Sequence, residues 1–185
     1  RFVDVTEESG LDVNNRRWSF AGAWEDFDND GDQDLYVAND YGRNCLYRND
    51  EGEDGARRFV DIAAAAGAED SASGMSVTWA DYDRDGQMDA YVSNMFSAAG
   101  NRITLQDQFT AGSPADVRER LQRFARGNTL LKNRGDGTFT DTSEAAAVTM
   151  GRWAWGSKFV DINNDGWDDL VVANGYVTTD DPGDL

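Results

Sequence analysis

Asp26-Phe27-Asp28-Asn29-Asp30-Gly31-Asp32-Gln33-Asp34 places five carboxylates in nine residues, directly before the apolar run Leu35-Tyr36-Val37-Ala38. Carboxylates this close repel one another in a folded chain unless a hard cation lies among them, and alternating Asp followed by Gly is how a loop wraps oxygens around Ca2+. The pattern returns twice, as Asp81-Tyr82-Asp83-Arg84-Asp85-Gly86-Gln87-Met88-Asp89 and as Asp161-Ile162-Asn163-Asn164-Asp165-Gly166-Trp167-Asp168-Asp169. Positions 1, 3, 5 and 9 of each loop are Asp or Asn, and position 6 is Gly, which admits the positive φ of a sharp turn. The candidate ligands are Asp26, Asp28, Asp30 and Asp34 in the first loop, Asp81, Asp83, Asp85 and Asp89 in the second, and Asp161, Asn163, Asp165 and Asp169 in the third. The backbone carbonyl of position 7 joins each set, from Asp32, Gln87 and Trp167. About three Ca2+ are expected. Mg2+ is disfavoured, because the loops offer more protein oxygens than it usually takes.

An EF-hand shares the opening Asp-x-Asp-x-Asp-Gly but needs a bidentate Glu at position 12 and a helix after it. Here position 12 is Val37, Val92 or Val172, each inside a strand-like run, so the loops join strand to strand. Aligned on the loops, the chain shows a repeat. Phe2-Val3-Asp4-Val5-Thr6, Phe59-Val60-Asp61-Ile62-Ala63 and Phe139-Thr140-Asp141-Thr142-Ser143 open three copies, each 22 to 24 residues ahead of its loop. An aromatic stands two residues before each loop (Trp24, Trp79, Phe159), and each following run ends in Asn (Asn39, Asn94, Asn174). A further strand at 44–49 is matched at 128–133.

About four short strands in roughly 55 residues is the size of a β-propeller blade. The fold expected is therefore all-β: about three four-stranded blades in an incomplete ring, with one short helical insertion. Residues 1–58 form the first repeat, 59–138 the second, and 139–185 a truncated third. The insertion, 96–127, lengthens the second repeat; Pro114 to Arg126 predicts an amphipathic helix with Val117, Leu121 and Phe124 on one face and Gly127 as its stop. Small residues ahead of the loops (Ala21-Gly22-Ala23, Gly74-Met75-Ser76, Gly156-Ser157) suit crowded inner strands. Trp167 could pack on a neighbouring blade or face a partner.

Net charge is −18 with no His; three Ca2+ would leave about −12, so nucleic acid and anionic membrane are poor partners for the whole chain. No apolar run is long enough to cross a membrane. Absence of His removes the commonest general base, and no Ser or Cys nucleophile stands beside a recognisable base, so no catalysis is expected. Cys45 is the sole cysteine and reads as a small buried hydrophobe. The start at Arg1 without Met suggests a processed or trimmed product. Against the acidic background, residues 101–134 hold seven Lys or Arg to three Asp or Glu. Arg118, Arg120, Arg123 and Arg126 either pair with the blades or are solvated, or else meet an anionic partner.

Together these features resemble the FG-GAP or VCBS-type repeats, the calcium-loop blades of integrin alpha-subunit propellers. The insertion, with Val117-Arg118, Gln122-Arg123-Phe124-Ala125 and Gly127-Asn128-Thr129-Leu130-Leu131, and the segment from Trp155 through Ala173-Asn174-Gly175, look more narrowly like bacterial relatives of cartilage acidic protein, the ASPIC/UnbV group. The resemblance implies a secreted, extracellular or periplasmic calcium-binding module for adhesion or assembly, meeting a protein or an acidic glycan or pairing with itself through blade edges. The same twelve side-chain ligands carry over from it. A filament or ring subunit, and a polysaccharide-active enzyme on a propeller scaffold, are the alternatives.

Overall fold

A computed structural model describes residues 1–109 and 111–175. It contains two antiparallel four-stranded sheets, each with its strands in sequence order. The first is β1 (Ser19–Glu25), β2 (Asp34–Asn39), β3 (Cys45–Glu51) and β4 (Arg57–Asp61). The second is β5 (Gly74–Ala80), β6 (Asp89–Asn94), β7 (Thr129–Asn133) and β8 (Phe139–Asp141). β9 (Ala154–Val160) and β10 (Asp169–Asn174) form a third, two-stranded sheet. These are meander sheets of the propeller-blade kind, and the described residues do not close a ring. The end of the expected third repeat, 176–185, lies outside the described residues.

The strand runs come from alternation over short segments bounded by Asn, Gly and Asp. The first strands β1, β5 and β9 lie side by side. Their small residues allow this: Ser76 Oγ meets Ser157 Oγ at 3.0 Å, and Trp79 Nε1 donates to the Ala23 carbonyl at 3.5 Å. Adjoining sheets share one packing unit. A Tyr on the second strand of one sheet meets, edge to face, the aromatic that ends the first strand of the next: Tyr36 with Trp79 and Tyr91 with Phe159, both at 6.1 Å between ring centroids. Each buried Tyr hydroxyl donates to a backbone carbonyl beyond its own sheet's fourth strand, Ala68 or Val148, at 2.9 Å, so the polar tip carries no desolvation penalty. Phe27 completes the first interface, 5.6 Å from Phe139 and stacked on Trp79. Phe27, Tyr36 and Phe139, with Leu46, Val92 and Leu131 and with Trp79 packed against them, make one core between the first two sheets.

The sheets and the sequence repeat are out of phase by one strand. Phe59 and Phe139, which open repeats, lie in β4 and β8, the outermost strands of the sheets begun before them. Their counterpart Phe2 lies outside any strand and is fully exposed.

The insertion folds as α2 (Ala98–Thr104) and α3 (Ala115–Arg126), packed on each other. α3 matches the helix expected from Pro114 to Arg126, with Pro114 at its N-cap. α2 was not expected: Ser97 caps it by accepting from Gly100 N at 2.9 Å, but Gly100 inside the segment hides the helical pattern. The one-turn α1 (Ala63–Ala66), ended by Gly67 at φ 70°, was also unforeseen.

α3 docks through its charges and not through its apolar stripe. Leu121 and Phe124 are each 38% exposed. Arg123 Nε donates instead to Asp70 Oδ1 at 3.0 Å, and Arg126 Nη2 to Asp141 Oδ2 at 2.8 Å. Asp70 is completely buried in the connection from β4 to β5, and its second oxygen accepts from Asn94 Nδ2 at 2.9 Å. Removing one partner of such a pair leaves a charge stranded out of water. Arg123→Met is therefore expected to cost about 3 kcal/mol in urea unfolding. Arg120→Met, which breaks only an exposed pair with Asp116 on the same helix, should cost under about 0.5 kcal/mol.

Candidate metal centre

Each Asp-rich loop joins the first strand of a sheet to its second: β1 to β2, β5 to β6, β9 to β10. Position 12 accordingly lies in β2, β6 or β10, where an EF-hand would have its second helix. The three loops share one backbone. The carboxylate at position 1 accepts the amides of positions 5 and 6: Asp26 from Asp30 and Gly31 at 3.1 and 3.0 Å, Asp81 from Asp85 and Gly86 at 2.9 Å each, Asp161 from Asp165 and Gly166 at 3.1 and 2.8 Å. The carboxylate at position 5 accepts the amide of position 7 in each loop. Gly31, Gly86 and Gly166 have φ of 92°, 85° and 84°, as the turn requires. Position 4 is also left-handed, with φ of 60° at Asn29, 62° at Arg84 and 59° at Asn164. Asn tolerates that region, whereas Arg84 is strained there and gave no hint of it in the sequence.

Position 9 has a second role. Asp34 opens β2 buried, accepting from Asn49 N on β3 at 2.8 Å and from Phe27 N at 3.3 Å. Asp89 does the same with Asn133 N and Tyr82 N at 2.7 and 3.4 Å. One carboxylate thus ties loop, second strand and third strand together. Among the described residues, Asp169 accepts only from within its own loop, from Ile162 N at 3.1 Å.

Asp26, Asp28 and Asp34 bring ligand oxygens within 4.8 Å of one another, and so do Asp81, Asp83 and Asp85. Asp28 Oδ1 and Asp83 Oδ1 are buried and reached by no donor among the described residues. A buried, unpaired carboxylate oxygen beside two further carboxylates is the donor set a hard divalent cation takes. The residues present therefore fit an oxygen-ligated metal at two loops. Asp30 and Asp89 stand outside these two tight groups. Among the described residues the third loop forms no comparable group of carboxylates. Its position 3 is the neutral Asn163, whose amide donates to Asp165 Oδ2 at 2.9 Å. The position-7 residues Asp32, Gln87 and Trp167 point their side chains elsewhere: Asp32 to Arg57, Gln87 to Asn29, and Trp167 beneath the Arg84 guanidinium, 3.8 Å from the ring centroid. Trp167 therefore packs on the neighbouring loop.

The second and first loops differ in their cations. Lys132, on β7, forms a close ion pair with Asp83 Oδ2 and lies 3.2 Å from Asp85 Oδ2. In the first sheet the matching residue is Arg48, forked onto Asp50 at 2.7 and 3.1 Å. Cys45 is buried, and burial raises its thiol pKa, which fits the inert role expected of it.

Set beside known families, residues 26–92 and 120–172 match the model of the FG-GAP-like repeat. The chain belongs to the FG-GAP-like repeat family. Both matched stretches begin or end within the sheets and loops just described, and between them they take in all three Asp-rich loops of this FG-GAP-like chain. Comparison with curated proteins finds no match.

Burial pushes the Asp34 carboxyl up to about 7 and the Asp89 carboxyl up to about 6. An unfolded Asp titrates near 3.9. Between those values the folded chain holds protons that the unfolded chain does not, so metal-free stability increases as pH falls through 7. In chelator the thermal midpoint, followed by circular dichroism, should rise from pH 8 to pH 5. In saturating Ca2+ the trend should reverse, because the ion must displace those protons.

Proposed function

We propose that the chain is a calcium-stabilised propeller segment serving extracellular binding, adhesion or assembly, without catalysis of its own. The observation that carries this reading is the first loop: Asp26, Asp28 and Asp34 within 4.8 Å of one another, with a buried Asp28 oxygen that no donor among the described residues reaches. Side chains of Asp26, Asp28, Asp30 and Asp34, with the Asp32 carbonyl, would hold one Ca2+; Asp81, Asp83, Asp85 and Asp89 with the Gln87 carbonyl a second; Asp161, Asn163, Asp165 and Asp169 with the Trp167 carbonyl a third. The ion supplies the charge that lets these carboxylates sit together, and the loops then hold the strand pairs in register.

The partner in this reading is a protein or an acidic glycan. Exposed Trp18, Phe20 and Trp155 support a protein partner, self-assembly included. The glycan has less support, because Arg123 and Arg126 are taken up by Asp70 and Asp141. Placement outside the cytoplasm follows from the millimolar Ca2+ such loops use. Kinship with the ASPIC/UnbV group belongs to the same reading and rests on sequence alone, on the insertion with Gln122-Arg123-Phe124-Ala125 and on the segment from Trp155 through Ala173-Asn174-Gly175.

Isothermal titration of the metal-free chain with CaCl2 tests the reading. Binding at up to three sites should raise the thermal midpoint, each site adding about 2.7 kcal/mol when Ca2+ is 100 times its Kd. Asp28→Ala combined with Asp83→Ala should abolish most of that gain. A wild-type chain that neither binds Ca2+ nor gains stability would refute it.

A further inference from the structure

The two loops that carry the tight carboxylate groups share one backbone pattern and are neutralised differently. In the second, Lys132 Nζ is paired closely with Asp83 Oδ2 and is 3.2 Å from Asp85 Oδ2, among the oxygens a metal would take. At the first loop, Arg57 pairs with Asp32, whose backbone and not its side chain is a candidate ligand, and with Glu51 outside the loop. Register explains the contrast. Tyr47 pairs with Leu35, and Leu131 pairs with Ala90; Leu35 and Ala90 both follow position 9 of their loops. Arg48 and Lys132 therefore occupy equivalent places. Arg48 is drawn aside by Asp50, two residues on, through two hydrogen bonds. The residue two on from Lys132 is Arg134, which repels an ammonium and instead donates to Thr140 Oγ1 at 3.0 Å. Nothing holds Lys132 away from the loop, and its four-carbon stem delivers a compact charge there.

We propose that Lys132 is a tethered competitor for the second Ca2+ site, occupying it when the ion is absent and leaving when it enters. This rests on the reading of the loops as Ca2+ sites. The first loop then fills at lower Ca2+ than the second, and loading the second releases an amine to solvent. The chain thus responds over two ranges of Ca2+ concentration, the second set by Lys132.

The sequence has only two lysines, Lys132 and Lys158, and Lys158 is exposed on β9. Amine acetylation of the wild-type chain at fixed pH, read by mass spectrometry, therefore reports on Lys132 with Lys158 as internal reference. Acetylation of Lys132 should be several-fold slower than that of Lys158 in chelator, and should accelerate at the Ca2+ concentration of the second binding step. Lys132→Met keeps the stem and should tighten that step at least about tenfold while leaving the first unchanged. Ca2+ binding with Lys132 acetylation and the affinity of Lys132→Met both unaltered would overturn the competitor role and leave the metal reading standing. Absence of Ca2+ binding by both proteins would overturn the metal reading itself.

Discussion

Mutual repulsion among carboxylates is the constraint around which this structure is arranged. Each Asp-rich loop sits where the first strand of a sheet turns into the second, so failure to hold the loop would let the sheet's first hairpin splay. The fold answers partly with its own donors. Position 1 gathers two amides and position 5 a third, repeated in all three loops. Position 9 is buried and bound to the third strand in both complete sheets. What the amides leave over, the oxygens of Asp28 and Asp83 that no donor among the described residues reaches, fits a divalent ion. The loops' own hydrogen bonds and their fitness for a metal therefore draw on the same carboxylates.

The loops, the strands flanking them and α3 could be read directly from the residues, because each rests on local chemistry: Asp at alternate positions, Gly for a positive φ, Pro and Gly bracketing a helix. The paired aromatics ahead of the loops were legible too, as Trp79 and Phe159 fill the inter-sheet seams. Features that depend on distant partners were not. Asp70 looks like any acidic turn residue until Arg123 arrives from 53 positions away. Asp34 and Asp89 read as metal ligands alone, since their bonds to Asn49 and Asn133 require knowing which strand lies next door. The apolar stripe on α3 suggested its docking face, yet buried Asp70 outweighs Leu121 and Phe124, because an unpaired interior charge costs more than two half-exposed side chains.

Contacts between loops add a further layer. Position 4 of the first two loops reaches position 7 of the following one: Asn29 Nδ2 to Gln87 Oε1 at 3.2 Å, and Arg84 over the Trp167 ring. The left-handed φ at position 4 aims these side chains sideways, which gives the strain at Arg84 a purpose. Loops so connected touch directly, the first to the second and the second to the third.

The one-strand offset between repeat and sheet has a mechanical side. The covalent path from the first sheet to the second leaves from the outermost strand, β4, and enters at the innermost, β5. Tension carried by that connection therefore acts at one end on β4, which can be stripped from β3 one hydrogen-bonded pair at a time, and at the other end on β5 beside the seam. The seam meets that pull through Trp79 on β5, held among Phe27, Tyr36 and Phe139. The perimeter strand β4 acts as a fuse, because it is paired on one side only, with β3, whereas β5 is paired with β6 and packed between β1 and β9.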